Sequence, residues 1–250
     1  MIKEQELVDE LMAIRNNEEY RNILMHIIIN KEIPEKYPKG LYLDRYSLFL
    51  NDEENKKYWD HSYERFKFRD IYNSYCSWCL VSKDWIRELA RLLKGKKCIE
   101  IMAGKGLISY ALQEEGVDII PTDDFSWGAK VKYTAVYEKD AVDSIKEADE
   151  LDYVICSWPP YEDNTICYVV KAMAQKHPNA KLIYIGEYDG CNVPYHFWKF
   201  VDVCEDKDSV IIDKVNKYFK SFEGIHDHVY LLKPNAKAKK FGSKKKRRDK

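Results

Sequence analysis

Apolar residues near the N-terminus fall at helical spacing, at Leu7, Leu11 and Ile14, and then close up into the run Ile23-Leu24-Met25-His26-Ile27-Ile28-Ile29. One or two helices packing onto a partner surface are expected over residues 2–29, interrupted by the stretch from Pro34 to Gly40. From residue 83 the pattern becomes regular. Residues 83–93 predict an amphipathic helix, with Ser82 as its N-cap and Gly95 just past its end. Strands follow at 97–102, 117–121, 132–137, 152–157 and 181–186, with helices at 107–115, 141–148, 164–176 and 194–200. Strands separated by helical patterns indicate βαβ units and a parallel sheet. Residues 208–219 and 228–234 read as a closing β-rich hairpin. The fold expected is α/β: a Rossmann-like, doubly wound, mostly parallel seven-stranded sheet closed by an antiparallel strand, with an N-terminal helical appendage.

Composition refines the boundaries. Residues 42–79 are dense in aromatics, among them Tyr42, Tyr46, Phe49, Tyr58, Trp59, Phe68, Tyr72, Tyr75 and Trp78. No single period fits them, and such density points to core and lid packing. The expected division is a helical and aromatic appendage over 1–82, an α/β domain over 83–234 and a disordered basic tail over 235–250. The net charge of −1 hides an uneven distribution. Residues 237–250 hold nine Lys or Arg and one Asp, a net of +8, which leaves −9 for residues 1–236. Seven cysteines, several in apolar strand-like runs, favour a reducing compartment over a disulfide framework. There is no apolar run near the ~18 residues of a membrane span and no secretory leader in MIKEQELVDE. A cytoplasmic protein with no membrane contact is expected, or a nuclear one in a eukaryotic host.

The densest chemical signal is a strand that runs into a glycine turn and a helix: Cys98-Ile99-Glu100-Ile101-Met102-Ala103-Gly104-Lys105-Gly106-Leu107. Small residues at a strand's carboxyl end let a ligand approach the backbone, and the next helix offers free N–H groups. Asp123 and Asp124 follow the second strand, Asp123 lying 19 residues after Gly104. That is the spacing at which a carboxylate accepts from ribose hydroxyls. Ser109 stands where the third glycine of a dinucleotide fingerprint would fall, and Glu100 suits a cationic ligand better than a pyrophosphate.

These residues resemble the class I S-adenosylmethionine-dependent methyltransferases over roughly residues 76–234. Glu100-x-x-Ala103-Gly104-x-Gly106 looks like their first motif, with Met102 where a glycine is usual. The resemblance implies S-adenosyl-L-methionine as cofactor and Asp123 as the ribose acid, with Asp124 as its substitute in a register shifted by one. Asp140 and Ala141, in Glu138-Lys139-Asp140-Ala141, then flank the adenine, and Ser157 lies on the cofactor side. Within the superfamily the chain is most similar to a group of uncharacterised methyltransferase-like proteins. They combine a Trp-containing segment (Ser77-Trp78-Cys79), a Trp-Pro-Pro and an Ile-Gly-Glu followed by Gly-Cys, here Ile185-Gly186-Glu187 and Gly190-Cys191.

Ser157-Trp158-Pro159-Pro160-Tyr161 sits at the end of the fourth strand. It resembles the [Asp/Asn/Ser]-Pro-Pro-[Tyr/Phe/Trp] motif of nucleic-acid amino methyltransferases. The residue before the prolines, however, is Trp158, which cannot accept a hydrogen bond from an amine. Trp158, Pro159, Tyr161 and Glu187 are the expected substrate rim. The methyl acceptor is open: an amine nitrogen of unknown origin, a nucleic-acid base served by residues 237–250, or none, if the domain is a cofactor-binding module without catalysis. No metal is expected. Cys76-x-x-Cys79 with His226-x-His228 lacks the spacing of a zinc site.

Overall fold

The computed structural model describes residues 4–42, 62–128, 131–188 and 190–242. Tyr46, Phe49, Tyr58, Trp59 and the tail from 243 to 250 lie outside the described residues.

Seven strands form one sheet: β1 (Cys98–Glu100), β2 (Ile119–Asp123), β3 (Tyr137–Glu138), β4 (Tyr153–Ser157), β5 (Lys181–Gly186), β6 (Val201–Val203) and β7 (His228–Pro234). Their order is β3-β2-β1-β4-β5-β7-β6. β1 to β5 are mutually parallel, while β7 runs antiparallel to both β5 and β6. The sheet is therefore doubly wound and mostly parallel. Because both faces are covered, β4 and β5 are apolar at successive positions. Ile155, Ile183, Ile185 and Leu231 pack into one core, and Val154, Cys156, Leu182 and Tyr184 into the other.

The first core is covered by α1 (Glu4–Met12), α2 (Glu18–Met25), α3 (Ser62–Tyr75), α4 (Lys83–Leu93), α5 (Leu107–Glu114) and α8 (Ser209–Tyr218). The second is covered by α6 (Ala141–Glu147) and α7 (Thr165–Lys176). The N-terminal region shares the first core with the α/β part, so residue 82 is no packing boundary. The first amides of α4 are satisfied from the appendage: Lys83 N donates to Pro34 O at 2.9 Å and Asp84 N to Glu35 O at 3.3 Å. Ser82 turns its hydroxyl onto Asp84 instead of capping the helix. Phe68, Tyr72 and Tyr75 are buried, and the Tyr37 hydroxyl donates to Val81 O at 3.0 Å.

Four expectations are corrected. The stretch 208–219, read as a strand, instead holds the helix α8 over Ser209–Tyr218. Its β-branched Val210-Ile211-Ile212 run looks extended, but Ile212, Val215 and Phe219 bury one helical face, and Phe219 meets Trp85 edge-on at 5.4 Å. Packing outweighs propensity there. The sixth strand lies earlier, at Val201–Val203, directly after the stretch 194–200 where a helix is expected from the sequence. Only a 3₁₀ turn, Phe197–Lys199, forms in that stretch. Finally, residues 235–242 are folded: Ala238 is fully buried and Phe241 packs on Tyr168, Phe200 and His196. Strand 132–137 shortens to the pair Tyr137–Glu138.

Candidate functional site

The carboxyl ends of β1, β2, β4 and β5 place Glu100, Asp123, Ser157 and Gly186 along one edge. Gly186 pairs with His228, so the antiparallel β7 begins at that same edge. An open α/β sheet binds ligands along this rim.

At its centre the glycine turn and the second-strand acid are joined. Gly104 N donates to Asp123 Oδ2 at 2.8 Å, and Ala103 N to Thr122 O at 3.0 Å. Gly104 and Gly106 both have left-handed backbones, with φ of +59° and +71°. A Cβ on Gly106 would come within 2.7 Å of Val136 Cγ2, so glycine is required on both conformational and steric grounds. Met102 also sits at φ +50°, a conformation in which the glycine usual at its place would be unstrained.

Asp123 is buried, and three donors converge on its carboxylate. Besides Gly104, Phe125 N (2.8 Å) and Trp127 Nε1 (3.1 Å) both donate to Oδ1. The Trp127 ring covers the turn, 3.7 Å from where a Cβ on Gly104 would sit, and Lys105 Nζ lies 4.8 Å from its centroid. Half of Trp127 is exposed (50%). A flat group therefore lies over the glycine turn and donates to the acid, the two contacts that a nucleoside base and ribose hydroxyl would make. The residues fit such a ligand on exchange with the indole.

The other expected residues fall in different places. Glu100 is 2% exposed and accepts from Ser109 N (3.0 Å) and the Ser109 hydroxyl, which caps α5 because the N-cap position, Gly106, has no side chain. Burial pushes its carboxyl up to about 7. Asp124 is exposed; the Ser126 backbone N–H bonds to it and holds its carboxyl below the ordinary range. Asp140 caps α6, accepting from Val142 N and Asp143 N, and Ala141 is buried beneath it. Glu187 accepts from His226 N (3.0 Å) and Cys191 N (3.3 Å), tying two rim loops together, and a Cβ on Gly190 would collide with it. Cys76 and Cys79 take separate partners, the Tyr133 hydroxyl and the hydroxyls of Ser77 and Ser157. Burial pushes both thiols up to about 12.

In the Trp-Pro-Pro turn, Ser157 Oγ lies 3.6 Å from Cys79 Sγ, Pro159 is buried and Tyr161 is 57% exposed. Trp158 adopts φ +50°, an outlying conformation for so large a side chain. It is held by Trp158 N donating to Ile185 O (2.8 Å), by Nε1 donating to Asp227 Oδ2 (3.0 Å) and by stacking on Trp78 at 6.1 Å. Asp227 is a rim residue that sequence reasoning missed. It lies 69 positions from its partner, between the two histidines of the His226-x-His228 pair, a pattern that draws attention only as a metal site. The only signal was its place just before the closing strand.

No family model and no curated protein matches the chain. Several solved structures resemble it. A SAM-dependent methyltransferase from Archaeoglobus fulgidus is 15% identical with a TM-score of 0.35, over 60% of this chain and 92% of that one. Magnesium protoporphyrin IX methyltransferase from Synechocystis PCC 6803, with bound SAH, is 11% identical with a TM-score of 0.36, over 61% and 83%. TrmN from Thermus thermophilus is 9% identical with a TM-score of 0.37, over 61% and 48%. No described helix is long and apolar enough to cross a membrane. Two surface hollows lie away from the rim, one between α2 and Pro34 and one at the opposite sheet edge near Lys97 and Asp118.

Proposed function

We propose that the protein is an S-adenosylmethionine-dependent methyltransferase whose acceptor atom is an amine nitrogen. The observation that carries this reading is the bond from Gly104 N to Asp123 Oδ2 on the carboxyl rim of the sheet. It makes one unit of two elements that the family resemblance ties to the cofactor. Gly104 and Gly106 would let the ligand approach the backbone, Asp123 would accept from the ribose hydroxyls, and the loop carrying Asp140 and Ala141 would border the base. When bound, the cofactor supplies an electrophilic methyl group.

The chain's own residues then have to align the acceptor and exclude water. Pro159 and Pro160 stiffen the turn after β4 and carry carbonyls but no N–H. The exposed face of Tyr161 beside them suits a flat acceptor. A neutral amine needs orientation of its lone pair more than acid–base help, and nothing in this rim demands a metal.

Isothermal titration of the intact protein with S-adenosylmethionine and S-adenosylhomocysteine tests the reading. Micromolar binding that weakens at least tenfold in Asp123→Ala is expected. Well-folded protein that binds neither ligand overturns it.

A further inference from the structure

The Trp-Pro-Pro turn lacks a side-chain acceptor at the position before the prolines, yet the structure brings a carboxylate to it. Asp227 is 2% exposed. Its Oδ2 takes the Trp158 indole N–H at 3.0 Å, and its Oδ1, also buried, has no hydrogen-bond partner among the described residues. The nearby Ser221 hydroxyl has one proton and gives it to the main-chain oxygen of Asp227 at 2.9 Å. Burying a carboxylate with one oxygen unsatisfied is costly, and here burial pushes the carboxyl above its ordinary range. Trp158 adds backbone strain, because φ +50° is a sparsely populated conformation for so large a side chain. Neither feature improves packing. Both suit a site awaiting a hydrogen-bond donor.

The indole that holds this carboxylate is itself flanked by an exposed ring. Trp78, 55% exposed, stacks on Trp158 with an interplanar angle of 23°. Trp78 belongs to the short connection between α3 and α4, without regular structure at that point. A planar ring could replace it against Trp158 at little cost, because one stacked aromatic contact is exchanged for another.

We propose that Trp158 and Asp227 form the acceptor subsite, in which a planar ring bearing an exocyclic amine takes the place of the Trp78 indole and donates its N–H to Asp227 Oδ1. The subsite rests on the methyltransferase reading for its purpose, but its binding chemistry stands apart from the cofactor. Asp227 supplies the acceptor that Trp158 cannot. Trp158 fixes the carboxylate through one oxygen and leaves the other to read the amine.

The probes are cytidine and N4,N4-dimethylcytidine, which share a ring but differ in the exocyclic N–H. Each is titrated with excess S-adenosylhomocysteine and again without it, using saturation-transfer NMR. The wild-type protein is expected to bind cytidine at least tenfold more tightly. Asp227→Asn keeps an oxygen for Trp158 and turns an NH₂ group towards the ligand, so it should abolish the difference. Trp78→Ala, which removes only an exposed ring, should strengthen cytidine binding several-fold and guards against a folding defect in the first variant. Equal binding of the two cytidines, binding of neither to protein that binds S-adenosylhomocysteine, or discrimination unchanged in Asp227→Asn overturns the subsite. Discrimination in a protein that fails to bind S-adenosylhomocysteine supports the subsite and overturns the cofactor instead.

Discussion

Gly104 and Asp123 are 19 residues apart in the chain and 2.8 Å apart in space, the backbone N–H of one donating to the carboxylate of the other. Asp123 also takes Phe125 N and the Trp127 indole, so three donors depend on it. Asp123→Ala should lower stability by about 1–3 kcal/mol, the usual cost of leaving buried donors unpaired, and weaken S-adenosylmethionine more than tenfold. Asp124→Ala should change neither, because Asp124 is exposed and its hydrogen bonds go to its near neighbour Ser126. Calorimetric titration of both variants decides which acid serves the ribose. A larger loss in Asp124→Ala would place the site one residue later.

Trp127 occupies the Asp123 oxygen that a ribose hydroxyl would share or take. Trp127→Phe keeps a ring over Gly104 but deletes the indole donor at 3.1 Å. One hydrogen bond contributes about 0.5–1.5 kcal/mol, so S-adenosylhomocysteine should bind several-fold to about tenfold more tightly. In the wild type its addition should change the tryptophan emission, and the change should shrink in the variant. Weaker binding in Trp127→Phe would mean that the indole is part of the bound site and not its cover.

The turn after β1 was legible because its determinants are local: an apolar strand, two glycines and an amphipathic helix within a dozen residues. The sheet's parallel order was legible for the same reason, repeated from β1 to β5. The edge beyond β5 was not. Val210-Ile211-Ile212 carries the β-branched look of a strand, and packing against β7 and the sequence-distant α4 makes it a helix. Glu100 looked like a ligand residue because its sequence neighbours form a ligand turn, whereas its carboxylate reaches back to Ser109. Asp227 escaped notice because its meaning depends on Trp158, 69 positions away.

Glu100 should leave a pH signature in stability. Burial raises its carboxyl from 4.5 to about 7 in the folded protein. The folded state therefore holds this proton more tightly than the unfolded state does. The stability it contributes is complete below pH 4.5 and is lost as pH rises through 7. Glu100→Gln keeps an acceptor for Ser109 N and removes the titration. Between pH 5 and pH 8 the wild type should lose up to about 3 kcal/mol relative to Glu100→Gln, at 1.36 kcal/mol per unit. Urea denaturation at the two pH values measures it. A constant difference would show that Glu100 is ionised throughout.

The basic C-terminus must be cut at the right residue to learn what its charge does. Residues 237–250 carry +8, of which residues 243–250 carry +5. The segment up to 242 belongs to the core. Phe241 packs edge-on to Tyr168 at 4.8 Å, Lys171 Nζ donates to its carbonyl at 2.7 Å, and Ala238 is fully buried. A chain ending at 236 should lose about 2–4 kcal/mol, as a large core side chain does on truncation, and its melting temperature should fall by several degrees. A chain ending at 242 keeps these contacts and should melt with the full-length protein. If the tail binds nucleic acid through its charge, ending at 242 should weaken binding and flatten its salt dependence, because fewer phosphates are neutralised. Weakening seen only in the chain ending at 236 would remove the electrostatic role of the last eight residues and leave the effect to lost packing under α7 or to Lys237, Lys239 and Lys240.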